Sequence, residues 1–316
     1  MSAATVTWSG AGDGVSWEQT NNWADGQRPI ASDMVVIGGV PPTTTITIGS
    51  AVTVQSLQCS ASLEVAGGNL NLLAGVSQVA GNLIVKSGRS LSVGGSNAVF
   101  SATGSVMADG ASFTVSGGSQ LVLPGLTNYV AGPEADRTFR AEGAGSLLSL
   151  PSLTNAVGGT HQWDWYWLNV GAVNGGRIEL GSLQTILDGQ IRLSAAGSNS
   201  IVDVSHLANT AGLKAMQITV ENGSQVIRGP QWTALEAVTM AVAPGGVLDL
   251  AGVTSLRRSS LSLADTAWVD TSSMVDVRGS SITLQRGAWL DLTNVVMADG
   301  ASFTVSGGSQ LVLPGL

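Results

Sequence analysis

Between Ala237 and Leu316 the apolar residues fall into columns when the chain is cut every 21 residues. Met240, Leu261, Ile282 and Phe303 form one column, and Val242, Leu263, Leu284 and Val305 stand two residues on. A third column is Leu248, Val269, Leu290 and Leu311, a fourth Leu250, Thr271, Leu292 and Leu313, and a fifth Val253, Met274, Val295 and Leu316. Spacing within a row is two, the alternation of a strand whose successive side chains point to opposite faces. The rows break at APGG, LADTA, QRGA and SGGS, where turn chemistry belongs. Helical stripes at i, i+3 and i+4 are missing. The pattern predicts coils of three short strands, each coil stacked on the last.

One coil cannot stand alone. It buries about six apolar side chains worth roughly 1.5–3 kcal/mol each, while ordering its residues costs about 1.5 kcal/mol apiece. Stacking supplies the missing ladder hydrogen bonds and a continuous interior. Strand–crossover–parallel strand connections are nearly always right-handed. The expected fold is therefore all-β, a right-handed parallel β-helix (β-solenoid) of roughly 21-residue, three-strand coils. About fifteen such coils, about 4.8 Å apart, would make a rod on the order of 70 Å long.

The rest of the chain divides around this pattern. Residues 1–40 read as an N-terminal cap with the first strands, 41–126 as coils, and 127–316 as coils with an insertion near 127–170. Val106–Leu126 is identical to Val296–Leu316, an offset of 190 residues. Cores tolerate volume-conserving exchange, so identity over a whole coil points to recent duplication. The expectation is a longer tandem array whose unit is about 190 residues.

Trp8, Trp17 and Trp23 lie among Gly, Asn and Asp, ahead of Pro29 and the run Met34–Ile37. An open solenoid end exposes both core and strand edge, so these aromatics are expected to close it; a sugar-stacking surface is the other reading. The pattern Trp8-Ser9-Gly10, Asp13-Gly14, Ser16-Trp17, Asn22-Trp23, Pro29 and Asp33-x-Val35-x-Ile37 resembles the opening segment of bacterial secreted β-helix proteins. Autotransporter passengers and haemagglutinin-like adhesins are of this kind. Only residues 4–40 carry motif-like similarity; the later rows share its style. The resemblance implies a secreted or cell-surface β-helix without catalysis, and it carries over no individual functional residue.

Composition narrows the partners. The net charge is −8 with 11% charged residues, and the two lysines, Lys86 and Lys214, are far apart. No basic cluster offers itself to nucleic acid or an anionic membrane. No run of 18 apolar residues exists to span a bilayer, and no signal-peptide pattern opens the chain. Cys59 is alone and reads as core. Self-association or contact with neighbouring repeats is expected, with a polysaccharide or host surface as a further partner.

Two features carry candidate chemistry. HQWDWYWLNV sets Trp163, Trp165 and Trp167 at period two with Asp164 between, either as a glycan platform or as core. An outward column of Glu179, Asp203, Arg228, Asp249, Asp270 and Asp291 reads as a solvated ladder, a Ca²⁺-binding ladder (Asp249, Asp270, Asp291) or a pair of catalytic carboxylates. Otherwise no cofactor is expected. Trp268 and Trp289 stand two residues before Asp270 and Asp291, covering the same face or meeting another chain. No Ser-His-Asp order, Walker loop or HExxH is present. The leading expectation is a structural or adhesive solenoid. A carbohydrate-binding or polysaccharide-degrading helix of pectin-lyase-like type and a homotrimeric phage-type spike are the alternatives.

Overall fold

A computed structural model describes residues 4–160, 166–208 and 212–313. The chain winds as a parallel β-solenoid with three faces, seen in one early coil. Thr45–Ile48 lies on face A, Val52–Val54 on face B and Ser56–Cys59 on face C. The next coil repeats the order, so like faces stack: Ile46 over Leu63, Val54 over Leu72, and Cys59 over Val79. Faces B and C merge into a 25-stranded sheet, because strands such as Leu70–Val79 run through the corner between them, and the face-A strands Asn128–Gly132, Asn155–Gly159 and Thr185–Ile186 join it.

The column seen in the sequence proves to be the interior of face B. Phe303 lies on Ile282, Leu261, Met240 and Ile218 in turn, and the stack continues through Leu193, Val170, Phe139, Phe113 and Leu91 to Leu70. Face C stacks Leu248 on Val269 and Leu290 on Leu311. Alternation turns these side chains inward and their neighbours outward, and the core is one continuous cluster along the axis.

Turns number about 12 at about 22 residues each, fewer than fifteen of 21, because coil length varies. Bonds between neighbouring rungs span 21 residues at Gly252–Ser273, 26 at Thr138–Ser112, 27 at Thr154–Thr127 and 31 at Trp167–Asp136. The strands keep register throughout this stretch, Phe113 on Phe139 on Val170. Extra residues therefore accumulate at the corners, where no ladder fixes their number.

Corners have their own chemistry. Where face A meets face B, Ala237, Arg258, Gly279 and Gly300 adopt φ of 56°, 47°, 67° and 69°, a left-handed residue in each successive coil. Only glycine takes that conformation without steric cost. At another corner, a Cβ on Gly67 would lie 1.9 Å from the Gly49 carbonyl oxygen, so the backbones touch directly. Buried serines replace ladder bonds where strands break. Ser280 Oγ accepts from the Ser259 amide at 3.1 Å and donates to the Leu256 carbonyl at 2.9 Å.

The N-terminal segment closes its end of the solenoid. Thr5–Thr7 adds a rung to Met34–Ile37 on face C, and Ser16 bridges Thr47 on face A. Trp23 sits edge-on to both Trp8 and Trp17, with 4.8 Å between centroids in each pair. Its Nε1 donates to the Trp17 carbonyl at 2.9 Å. Asn22 is fully buried with both ends of its amide satisfied. Its Oδ1 accepts from Gly12 and Gly14, and its Nδ2 donates to Asp13 and the Ser16 carbonyl. Trp8, Trp17 and Trp23 are thus core residues, which removes the sugar-stacking reading for them. Cys59 is core as well, and burial pushes its thiol up to about 11.

Over the described residues, 106–123 and 296–313, the two identical segments fold alike and differ in cover. Val106–Met107, Ser112–Ser116 and Gln120–Val122 place the first copy on faces A, B and C. Met297, Ser302–Val305 and Gln310–Val312 do so for the second. In the first, Phe113 stacks on Phe139 at 5.3 Å, Tyr129 Oη donates to the Ala111 carbonyl at 2.6 Å, and Leu121 lies under Leu148. Phe113 and Val115 are fully buried, while their counterparts are half-buried at Phe303 and 45% exposed at Val305.

Candidate functional site

The acid column lies on face C, at the outward end of each strand. Asp249 and Asp270 stand side by side in register, and Asp291 holds the same place one coil on. Each carboxylate turns back onto its own corner. The Oδ1 atoms of Asp249, Asp270 and Asp291 accept from the amides of Ala251, Ser272 and Thr293 at 2.7, 2.9 and 2.8 Å. Asp203 does the same to Ser205 at 3.0 Å. This is the Asx-turn, in which a short acid satisfies the backbone two residues later. Hydrogen bonds from Ser272 hold the Asp270 carboxyl below its usual range, aided by the Arg228 charge. A general acid needs the opposite shift.

Arg228 is not a member of that column. Ile227 pairs with Asp203, and Arg228 pairs with the inward-facing Val204. At the corner its guanidinium turns along the next coil. Nε donates to the Asp249 carbonyl at 2.5 Å, Nη1 to the Gly229 carbonyl at 2.9 Å, and Nη2 to the Ala251 carbonyl. Nη2 also lies 3.7 Å from Asp249 Oδ1. One arginine so ties two coils and offsets the like charges of Asp249 and Asp270, which would otherwise repel across the ladder. Among the described residues, no three His, Cys, Asp or Glu side chains converge on a position that could hold a metal ion. Asp249, Asp270 and Asp291 are spread along the axis instead of around a point.

Of the proposed aromatic platform, Trp163, Asp164 and Trp165 lie outside the described residues. Trp167 is buried, at 8% exposure, and does not present its ring to a ligand. The Arg192 guanidinium sits over that ring, 4.0 Å from its centroid. Arg192 is itself held by Gln217 Oε1 at 2.8 Å and Asn169 Oδ1 at 3.4 Å. The Trp167 amide donates to Asp136 Oδ1 at 2.8 Å. The result is a hydrogen-bonded fence on face B that ties coils of unequal length together. Nothing in the spacing of Asn169, Arg192 and Gln217 showed it, because they become neighbours only when coils of unequal length are stacked in register.

Among the described residues, the exposed tryptophans are on face C. Trp268 and Trp289 are 47% and 52% exposed on face C. Val247 stands beside Trp268 in the neighbouring rung. Two outward tryptophans, continued by Val247, therefore stand next to the acid column. The two indoles share with Asp270, Asp291, Thr293 and Asn294 a hollow of about 390 Å³. A second hollow of about 310 Å³ opens on the same face beside Gln225, Ile227, Val247 and Asp249. The sequence signal was the tripeptides Trp-Val-Asp and Trp-Leu-Asp, in which alternation puts tryptophan and aspartate on the same outward side.

The chain matches no family model, no curated protein and no solved structure. Its resemblance to autotransporter passengers and adhesins therefore rests on residues 4–40 alone, and what stands established is the architecture, an all-β parallel solenoid.

Proposed function

We propose that this protein is a non-catalytic, extracellular structural or adhesive solenoid, a rigid segment of a longer tandem array on a cell surface or in a filament. The observation that carries the reading is the duplicated coil. The same 21 residues serve as an internal rung at Val106–Leu126 and recur at Val296–Leu316. Where Tyr129, Phe139 and Leu148 cover the first copy, they show what a following coil supplies. Copying whole coils lengthens a rod without disturbing its register, since each coil contacts only its neighbours. The disposition of the acids favours structure over catalysis, because each Asp of the column is engaged in forming its own corner.

Joining a second Thr127–Leu316 unit to Leu316 tests the array. The expected product is one straight rod, lengthened in small-angle scattering in proportion to its added coils. A hinged particle, or a protease-sensitive junction at the duplicated coil, would refute it. Antibody labelling of intact source cells tests the location, and labelling only after lysis would refute an extracellular role.

A further inference from the structure

The aromatic and acidic columns of face C form a surface of defined chemistry. Along the two strands Trp268–Asp270 and Trp289–Asp291, tryptophan and aspartate are two residues apart, about 6.6 Å. Between rungs the same pair repeats about every 4.8 Å. Indole faces offer apolar area to a ring bearing C–H bonds, while hydroxyl and carboxylate groups beside them hydrogen-bond its substituents. Each carboxylate has its Oδ1 engaged by its corner amide, and a carboxylate has lone pairs for further donors. Thr293 and Asn294 add neutral polar groups to the rim of the hollow.

From this arrangement we infer that face C between Gln225 and Asn294 is a binding groove for a neutral, hydroxyl-rich polysaccharide lying along the solenoid axis. The ligand's direction follows from the two hollows, which succeed one another along the axis on one face. Its charge follows from the column beneath it. An anionic polymer would meet three aspartates in line, and a second copy of this chain would bring a like-charged column against its own. Hydroxyl donors meet neither penalty and can donate to the carboxylates. Trp268 and Trp289 provide the stacking surface, and Asp270 and Asp291 fix the ring edges.

The inference deepens the adhesive half of the proposed function and is independent of the stacking of units. Affinity electrophoresis in gels containing a soluble mixed-linkage β-glucan, a galactomannan or a xylan tests it, with polygalacturonate and poly-lysine as charged controls. The intact chain is expected to be retarded by at least one neutral polymer and by neither control. The double substitution Trp268→Ala/Trp289→Ala is expected to weaken retardation about tenfold or more, with thermal unfolding unchanged because both side chains are exposed. Asp270→Asn keeps the shape and weakens binding less. No retardation by any neutral polymer overturns the inference, as does retardation that survives the double substitution or is confined to a charged control. A wild-type dimer in light scattering that the double substitution converts to monomer would assign the face to a second copy and also overturn it. None of these outcomes bears on the tandem-unit experiment.

Discussion

Phe113 and Phe303 stand in identical sequences, so the same substitution at each isolates what the next coil contributes. Phe113 is fully buried, lying between Leu91 and Phe139. Phe→Ala at such a site costs about 3–5 kcal/mol, from lost transfer energy and the cavity left behind. In the 316-residue chain, Phe303 pairs with Ile282 and is half-buried, with no further strand paired to it among the described residues. With about half the contact shell, its truncation is expected to cost about half as much. The consequence also differs in kind. A solenoid is stabilised by nearest-neighbour terms, so Phe303→Ala frays one terminal coil, whereas Phe113→Ala breaks the stack in its interior. Urea unfolding followed by circular dichroism reads this directly. Phe113→Ala is expected to move the main transition, and Phe303→Ala only the slope ahead of it. Equal shifts of the main transition would refute the reasoning, because they would mean that stacking contributes nothing position-dependent.

Ala237 holds a left-handed conformation with φ of 56° in a column that is glycine two coils later. Such a conformation costs a side-chain-bearing residue about 1–2 kcal/mol, and glycine loses about 0.5–1 kcal/mol in extra chain entropy. Ala237→Gly is therefore expected to stabilise by about 0.5–1 kcal/mol in urea unfolding, and destabilisation would show that the corner is not strained. Asp276 is buried between Arg278 and Arg257, at 2.9 and 2.5 Å. The Arg278 guanidinium first, and then Arg257, hold its carboxyl well below the usual range. A depressed folded-state value means its contribution is complete above the unfolded value of about 3.9 and fades as pH falls toward the folded one. The stability difference between the wild type and Asp276→Asn is expected to be constant from pH 7 to 5 and to shrink below about pH 4. A difference that persists unchanged at pH 2 would rule out the charge as its origin.

The acid column shows how far one sequence can be read. Period and alternation placed Asp249, Asp270 and Asp291 on an outward ladder, and the structure puts them there. Their role was not read from the pattern: the sequence left a solvated, a Ca²⁺-binding and a catalytic ladder open, and only the folded corner shows each Oδ1 accepting from the amide two residues on. Arg228 was misplaced because the rows before Ala237 run longer than 21 residues. A register carried back from the C-terminal coils slips there by one position, and in a strand one position exchanges inside for outside. The Trp167–Arg192 contact was illegible for the same reason, since it forms between coils whose lengths the sequence leaves open.

By itself the sequence determined the coil, its three strands and its inward columns, because these depend on local alternation and on a period that repeats. It also determined the duplication and the aromatic N-terminal closure. Tertiary structure alone decided which residues of unequal coils become neighbours and which tryptophans are covered. It also decided what distinguishes the two identical segments. Burial is a property of the pair of coils, and no residue of Val106–Leu126 encodes whether another coil lies above it. Phe113 and Phe303 share every local determinant and differ only in what is stacked upon them.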